Sequence, residues 1–425
     1  MELSEAPVME EVKRGFKKTE VGVIPNDWEA VPLESCLELL TDFESNGSFA
    51  DVAANVVVHD HEEYAWYVRA TDLENDSPLS TVRYVDRRSF EFLKKTRLYG
   101  GEVLITKRGE IGKVYLFKAR TSFATVAPNL YLLKLNGKVV PQYVYNYFKY
   151  GRGNVTLKTI NASTTLGALY KNDVKSLLLP LPSNTEQRAI ATALSDVDAL
   201  LGSLDALIAK KKAIKHGAMQ QLLTGKQRLP GFKGEWEVKR LGEVFRISAG
   251  QSKSRFIKDG GRYLIVDMGS VSTEGRLICS KETDYHGDFL KRGDLIMPKD
   301  DIGGGKIIGK AAFIDRDKYY VLGDHVYLLE AEQGDPLFLS FMINAWTTNS
   351  ALRKKVGGSA QLSLGRKSVA EQEIPFPDMQ EQTAIATVLS DMDAEVEALA
   401  ARRAKTALLK QGMMQELLTG RTRLV

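Results

Sequence analysis

Two cysteines in 425 residues, Cys36 and Cys279, are too few and too far apart for a disulfide framework or a thiolate metal centre. That scarcity fits a reduced, cytoplasmic setting. Histidine is almost as rare: of five, only His59 and His61 are close in sequence, which reads as a solvated strand end rather than a metal site. No apolar run approaches the roughly 18 residues of a membrane span. Nor does the chain open on a basic start, a hydrophobic core and a small-residue cleavage site, so neither membrane nor secretion is expected. Net charge is small as well. The 58 Lys and Arg against 54 Asp and Glu leave +4, so a polyanionic partner must be met by local basic patches. What remains is ample for folding, since 44% hydrophobic residues in a chain of this length support two or three domains with proper cores.

The strongest positive signal is a repeat. Glu186-Gln187, Ala189-Ile190-Ala191-Thr192, Leu194-Ser195-Asp196 and Leu222-Leu223-Thr224-Gly225 all recur 195 positions later, from Glu381-Gln382 to Leu417-Leu418-Thr419-Gly420. In the first copy Ile190, Leu194, Val197, Leu201, Leu204 and Ile208 follow the alternating four-three spacing of a coiled-coil seam. Ile385, Leu389, Met392, Val396 and Leu399 repeat it before the pattern departs at Arg403. Ser183 and Asp378 with Glu186 and Glu381 three residues on predict capping boxes, and Gly225 and Gly420 stand where a C′ glycine belongs. Each copy therefore predicts one long helix. Gly217 and Gly412, equivalent and mid-helix, point to close helix approach or to a surface left small for a partner. Lys210-Lys211-Lys212 with Lys215 read as a solvated face, or as a basic strip facing DNA.

Ahead of each helix lies a strand-rich region opened by a second repeat, Trp28-Glu29 with Leu33 answering Trp236-Glu237 with Leu241. Gly101-Glu102-Val103-Leu104-Ile105 corresponds to Gly293-Asp294-Leu295-Ile296-Met297, a turn into an apolar strand. The order predicted is a flexible tail over 1–20 with order beginning near Ile24, a domain over 21–182 and a helix over 183–225. A linker over 226–235, a domain over 236–377 and a helix over 378–425 complete it. The halves agree in helices and strand cores and differ at loops, so one scaffold carries two different reading surfaces.

Catalytic motifs fail when inspected. Gly304-Gly305-Lys306-Ile307-Ile308-Gly309-Lys310 has phosphate-loop spacing, but Ala311 stands where a hydroxyl must hold magnesium. No Asn-Pro-Pro-aromatic tetrapeptide is present, and Asp173-Val174-Lys175 and Glu237-Val238-Lys239 read as surface charges. An unrecognised active site and a pure coiled-coil scaffold are the rival readings.

The duplicated plan, with Leu179-Pro180-Leu181-Pro182 then Thr185-Glu186-Gln187, and Ile374-Pro375-Phe376-Pro377 then Gln380-Glu381-Gln382, each closed by Leu-Leu-Thr-Gly, resembles the specificity subunit of a type I restriction-modification enzyme. The resemblance covers about residues 20 to 425. It implies an α+β architecture: two homologous mixed α/β target recognition domains joined by two long helices in an antiparallel coiled coil with a pseudo-twofold. It also implies a non-catalytic subunit that reads a bipartite asymmetric site in double-stranded DNA and carries no cofactor. Its partners would be two modification subunits, which use S-adenosylmethionine to methylate adenine, and restriction subunits, which use ATP and magnesium. DNA contact would fall to Lys107, Arg108, Lys113, Lys158, Ser163, Thr164, Thr165 and Lys171 in the first half. In the second it would fall to Lys253, Arg255, Lys299, Lys306, Lys310, Ser359, Gln361, Arg366 and Lys367. Lysines would position each domain on phosphates, while Arg, Gln and Thr present donors and acceptors to base edges.

Overall fold

The structure, a computed structural model, describes residues 13–163, 168–301, 304–358 and 362–424, with 161–163 as backbone alone. The chain forms two compact units, Met1–Ser203 with Arg403–Val425, and Leu204–Arg402.

In the first unit an antiparallel sheet runs in the order Val114–Leu116, Val103–Thr106, Leu130–Leu135, Leu37–Asp42. Alternation decides what each strand buries. Val103, Ile105, Tyr131 and Leu133 enter one core, while Leu104, Leu130 and Leu132 point the opposite way into another. The second core is shared with a five-stranded sheet in which Ala65–Val68 lies parallel to Ala124–Val126. The second unit repeats the plan. Its sheet runs Phe245–Ala249, Val326–Ala331, Leu295–Pro298, Ala312–Phe313, with Leu295 and Met297 in one core and Ile296 in the other. A three-stranded sheet again holds one parallel pair, Tyr263–Val266 with Tyr320–Leu322. Glu29–Pro32 with Leu178–Leu181, and Glu237–Arg240 with Glu373–Phe376, are two-stranded ribbons that bring the start of each domain back to its end. Pro180 and Pro375 sit in these ribbons, where a missing N–H donor is tolerated.

Pairing begins earlier than the sequence pattern implies. Phe16–Thr19 and Gly22–Pro25 form a hairpin ahead of the expected start at Ile24.

Asn184–Leu222 and Met379–Leu417 are helices of 39 residues each, roughly 58 Å long. Ile190, Leu194, Leu204, Ile385, Leu389 and Val396 are buried on them, and Val197, Leu201, Ile208, Met392 and Leu399 are half-buried. In the first unit Ile190 and Leu194 share a core with Leu417 and Leu418; in the second, Ile385 and Leu389 share one with Leu222 and Leu223. The buried stripe does not stop at Arg403. It continues at the same spacing through Thr406 and Lys410, both under 10% exposed, to Leu417. Lys410 reaches Asp198 (2.6 Å) above the Tyr150 ring, and its equivalent Lys215 reaches Asp393 (2.5 Å) above Phe341. Lys211 pairs with Glu395 at 2.6 Å. The lysine run thus divides: Lys210 and Lys212 are exposed, as a solvated face requires, while Lys211 and Lys215 are ion-pair partners within the second unit. Gly217 and Gly412 are corrected too, because a Cβ at either would meet nothing within 4 Å. Close approach does not explain them.

The predicted capping boxes are half built. Ser183 Oγ accepts from the Glu186 N–H (3.2 Å) and Asp378 Oδ1 from the Glu381 N–H (2.9 Å). The two glutamates, however, turn away from the cap. Glu186 accepts from Trp28 Nε1 (3.0 Å) and binds the fork of Arg423, which also clasps Asp27 at 2.8 and 2.9 Å. Glu381 accepts from Trp236 Nε1 (2.9 Å) and from Arg228 at 2.5 Å through both of its oxygens. The neighbouring Gln187 and Gln382 accept from the N–H groups of Val140 and Asp335, each at 2.8 Å, fixing the next helix. A carboxylate with an indole and a guanidinium can be buried without stranding its charge. Gly225 and Gly420 take the left-handed φ of a C′ residue, +67° and +68°.

Candidate nucleic-acid interface

The turn 106–113 joins an inner strand of the first unit's antiparallel sheet, Val103–Thr106, to its edge strand, Val114–Leu116. Thr106 Oγ1 donates to the Glu110 carbonyl (2.5 Å) and accepts from the Lys113 N–H (3.0 Å). Gly112 has φ +78°, and a Cβ there would stand 3.0 Å from that of Leu157, so glycine is required twice over. The chain returning from the helix Arg152–Ser163 runs beside this turn. Arg108 bridges to Ala168, the Leu169 N–H donates to the Lys107 carbonyl (3.0 Å), and the Tyr131 hydroxyl donates to the Leu169 carbonyl (2.9 Å). Beneath lies Asp42, at the end of its strand, accepting from Lys107 (2.8 Å), Lys171 (3.0 Å) and Ser45 (2.6 Å). Burial opposes its charge, but these donors outweigh it and hold the carboxyl at about 2.

The second unit builds the same junction. The Leu364 N–H donates to the Lys299 carbonyl (2.8 Å), the Tyr327 hydroxyl to the Leu364 carbonyl (3.0 Å), and Asp300–Asp301 pairs with Leu362–Ser363. The charges beneath differ. Here His325, at φ +59°, places Nδ1 2.7 Å from Asp300, and Asp301 accepts from the Ile307 N–H at 3.1 Å.

The two junctions gather Arg108, Lys113 and Lys171 on one unit, and Lys299, Lys306, Lys310 and Arg366 on the other. Lys158 is exposed one residue beyond Leu157, and Lys306, Arg366 and Lys367 are exposed, Lys367 with Glu371 at 3.7 Å. Lys113 is half-buried between Glu110 and Glu74, which raise its pKa. Two expectations are corrected. Lys107, its side chain 4% exposed, is committed to Asp42 and Glu44, and Lys253, 5% exposed, to Asp288 (2.8 Å); both hold loops rather than face solvent. Arg255 is exposed, with its guanidinium over Phe256. Thr164, Thr165, Ser359 and Gln361 lie outside the described residues, and Ser163 is described as backbone alone. His59 and His61 pack edge to face, and among the described residues no three metal-ligating side chains cluster. No helix among them is long and apolar enough to cross a membrane. Sequence reasoning missed Asp42, which carries no motif.

Two units of one mixed α/β plan, each ending in a basic loop junction, define a duplicated recognition protein. The family model for the type I restriction modification DNA specificity domain matches twice, over residues 25–214 and 233–406. The chain belongs to the specificity subunits of type I restriction-modification systems. It is 26% identical to the putative type I restriction enzyme MjaX specificity subunit of Methanocaldococcus jannaschii, over 97% of each chain. The MjaVIII specificity subunit of the same organism is 24% identical over 97% of this chain and 96% of the relative. Among solved structures, the type I S subunit from M. genitalium shares the fold with a TM-score of 0.59 at 15% identity, over 92% of this chain and 96% of that one. A chain from a structure concerning assembly and conformational transition of a type I system gives 0.52 at 16% identity, over 94% and 99%.

Proposed function

We propose that this subunit reads a bipartite, asymmetric sequence in double-stranded DNA, one half-site per unit. In this reading it has no catalysis or cofactor of its own and is the scaffold on which two modification subunits and the restriction subunits assemble. The observation that carries it is the repeated junction with unlike side chains: Arg108, Lys113 and Lys171 over a buried Asp42, against Lys299, Lys306, Lys310 and Arg366 over Asp300 and His325. One scaffold with two different edges suits an asymmetric target. Phosphate contacts by the lysines would set register, and Arg108 and Arg366 would address base edges.

The two long helices are read as an antiparallel coiled coil about a pseudo-twofold. In support, the start of each shares a core with the end of the other, and the pairs Lys215–Asp393 and Lys410–Asp198 are equivalent under the 195 offset. The non-catalytic reading is supported at the phosphate-loop-like turn, where Ala311 is buried and its N–H is held by Asn344 Oδ1 at 3.0 Å.

The test is reconstitution. With modification subunits, S-adenosylmethionine and a DNA library, adenine methylation should appear at one split motif, and exchanging residues 21–182 for those of a relative should change the first half-motif alone. Methyl transfer by the isolated, contaminant-free subunit, or a contiguous motif, would contradict the proposal.

A further inference from the structure

We infer that the second unit holds one phosphodiester of the DNA backbone between Lys299 and Arg366, at the place that the Asp42 carboxylate fills in the first unit. The inference rests on the DNA-reading function proposed above and deepens it to a single contact. The two junctions share their main-chain links. Asp42 lies opposite Tyr131 and Tyr131 opposite Ile105; in the second unit Ala249 lies opposite Tyr327 and Tyr327 opposite Met297. Two residues beyond that row come Lys107 and Lys299. Their N–H groups donate to the carbonyls of Asn129 (2.9 Å) and His325 (3.0 Å), and their carbonyls accept from Leu169 (3.0 Å) and Leu364 (2.8 Å). Two residues beyond those leucines, Lys171 and Arg366 each open a short helix. Register alone therefore makes Lys299 the equivalent of Lys107, Arg366 of Lys171, and Ala249 of Asp42.

In the first unit these three side chains meet, Asp42 accepting from Lys107 at 2.8 Å and from Lys171 at 3.0 Å. The second unit keeps both cations and loses the acid. Where Asp42 is buried, Ala249 is exposed, with Lys299 half-buried and Arg366 exposed. Among the described residues no carboxylate stands within ion-pairing distance of Lys299 or Arg366. Asp300, the residue after Lys299, is held by His325 Nδ1 at 2.7 Å.

A scaffold that brings two cations toward one point favours an anion there. A phosphodiester supplies accepting oxygens and the same single negative charge as the missing carboxylate, and the methyl side chain of Ala249 leaves it room. Lys299 meets the phosphate as a point charge. Arg366, with five N–H donors, shares it and keeps one edge for a base. The first unit makes no such contact through Lys107, whose charge Asp42 has already met.

The experiment supplies the missing acid. A249D, in the full subunit assembled with its modification subunits, is titrated on a duplex carrying the methylated motif across a range of salt. The introduced carboxylate should take the phosphate's place, so the slope of log K against log salt should shallow by about 0.9, the value for one phosphate contact. K299Q should shallow it equally, and A249D/K299Q should add nothing further. Ethylation of one phosphate in the second half-site should interfere with the wild type and not with A249D. Because the new carboxylate gains two cationic partners, the free A249D subunit should melt no lower than wild type, which separates a lost contact from a lost fold. Q333E puts the same charge on the exposed surface beside Lys239, outside the junction, and should leave the slope unchanged. An unchanged slope in A249D, an equal change in Q333E, or a lower melting temperature in A249D would overturn the inference while leaving the DNA-reading proposal intact. Release of the modification subunits by A249D, with no ethylation effect in the wild type, would overturn it in favour of an acidic residue of that partner. A wild-type assembly that fails to bind DNA would remove the proposal beneath it.

Discussion

Asp42→Asn should destabilise the first unit by about 3 kcal/mol and disturb recognition of the first half-site, although Asp42 is 4% exposed and faces no solvent. The magnitude follows from what the substitution strands. Lys107 Nζ is buried, 2.8 Å from Asp42, and its other partner, Glu44 at 3.1 Å, is half in water. Breaking a buried ion pair costs about 3–5 kcal/mol, and the surviving Glu44 contact places the cost at the lower end. The titration gives a second figure. A carboxyl held at about 2 rather than 3.8 contributes about 2 kcal/mol at neutral pH, at about 1.4 kcal/mol per unit. The folded pKa is the depressed one, so this stability is fully present above about pH 4 and is lost as pH falls toward 2. Urea unfolding followed by tryptophan fluorescence would measure both, with K107M and D42N/K107M completing a double-mutant cycle. Because the turn 106–113 hangs on Lys107, footprints over the first half-site should weaken before those over the second. A D42N protein within 0.5 kcal/mol of wild type, no coupling to K107M, and an unaltered acid profile would refute the reasoning.

Removing Arg228 should cost about 3 kcal/mol, because the fully buried Glu381 would keep only the Trp236 indole; R228A melting like wild type would contradict that. K215D should lower the melting temperature by several degrees, and K215D/D393K should recover most of it; no recovery would mean that the pair is not coupled. Inserting four residues after both Ile208 and Arg403 adds about 6 Å per helix and should lengthen the unspecified spacer of the methylated motif by about one or two base pairs, whereas an unchanged spacer would refute a helical ruler. A fragment ending at Arg228 should form a homodimer and direct methylation to an interrupted palindrome; a stable monomer at micromolar concentration in sedimentation would exclude it.

Much of this fold is legible because its signals are periodic and doubled. The long helices and their C′ glycines follow from spacing that recurs at one offset, and Tyr131 and Tyr327 correspond one residue off it. What stayed hidden is charge pairing at long range. Lys107 and Lys253 look like DNA contacts in sequence because nothing local marks Asp42, 65 positions away, or Asp288, 35 positions away, as their partners. Glu186 satisfies the capping-box rule, and only the fold shows that Trp28 and Arg423 claim its carboxylate. Gly217 and Gly412 suggest close packing by residue type, yet lie against open space. Arithmetic alone would have exposed one of the missed features, since Lys215 and Lys410 are 195 apart.

The same arithmetic gives the tail of each helix a structural reason. Leu222-Leu223-Thr224-Gly225 and Arg228 follow the first helix, yet Leu222 and Leu223 lie in the core of the second unit and Arg228 closes on Glu381 there. Leu417, Leu418 and Arg423 follow the second helix and do the same work in the first unit, on Ile190, Leu194 and Glu186. Neither unit can be completed from its own repeat. A unit lacking its borrowed tail would expose two buried leucines, at about 2 kcal/mol each, and leave a buried glutamate without its guanidinium. The tail of one repeat is therefore constrained by the domain of the other, while the loops proposed to read DNA are free of that constraint. This division accounts for why caps, leucines and clasp arginines agree between the halves and the residues at 107–113 and 299–310 do not.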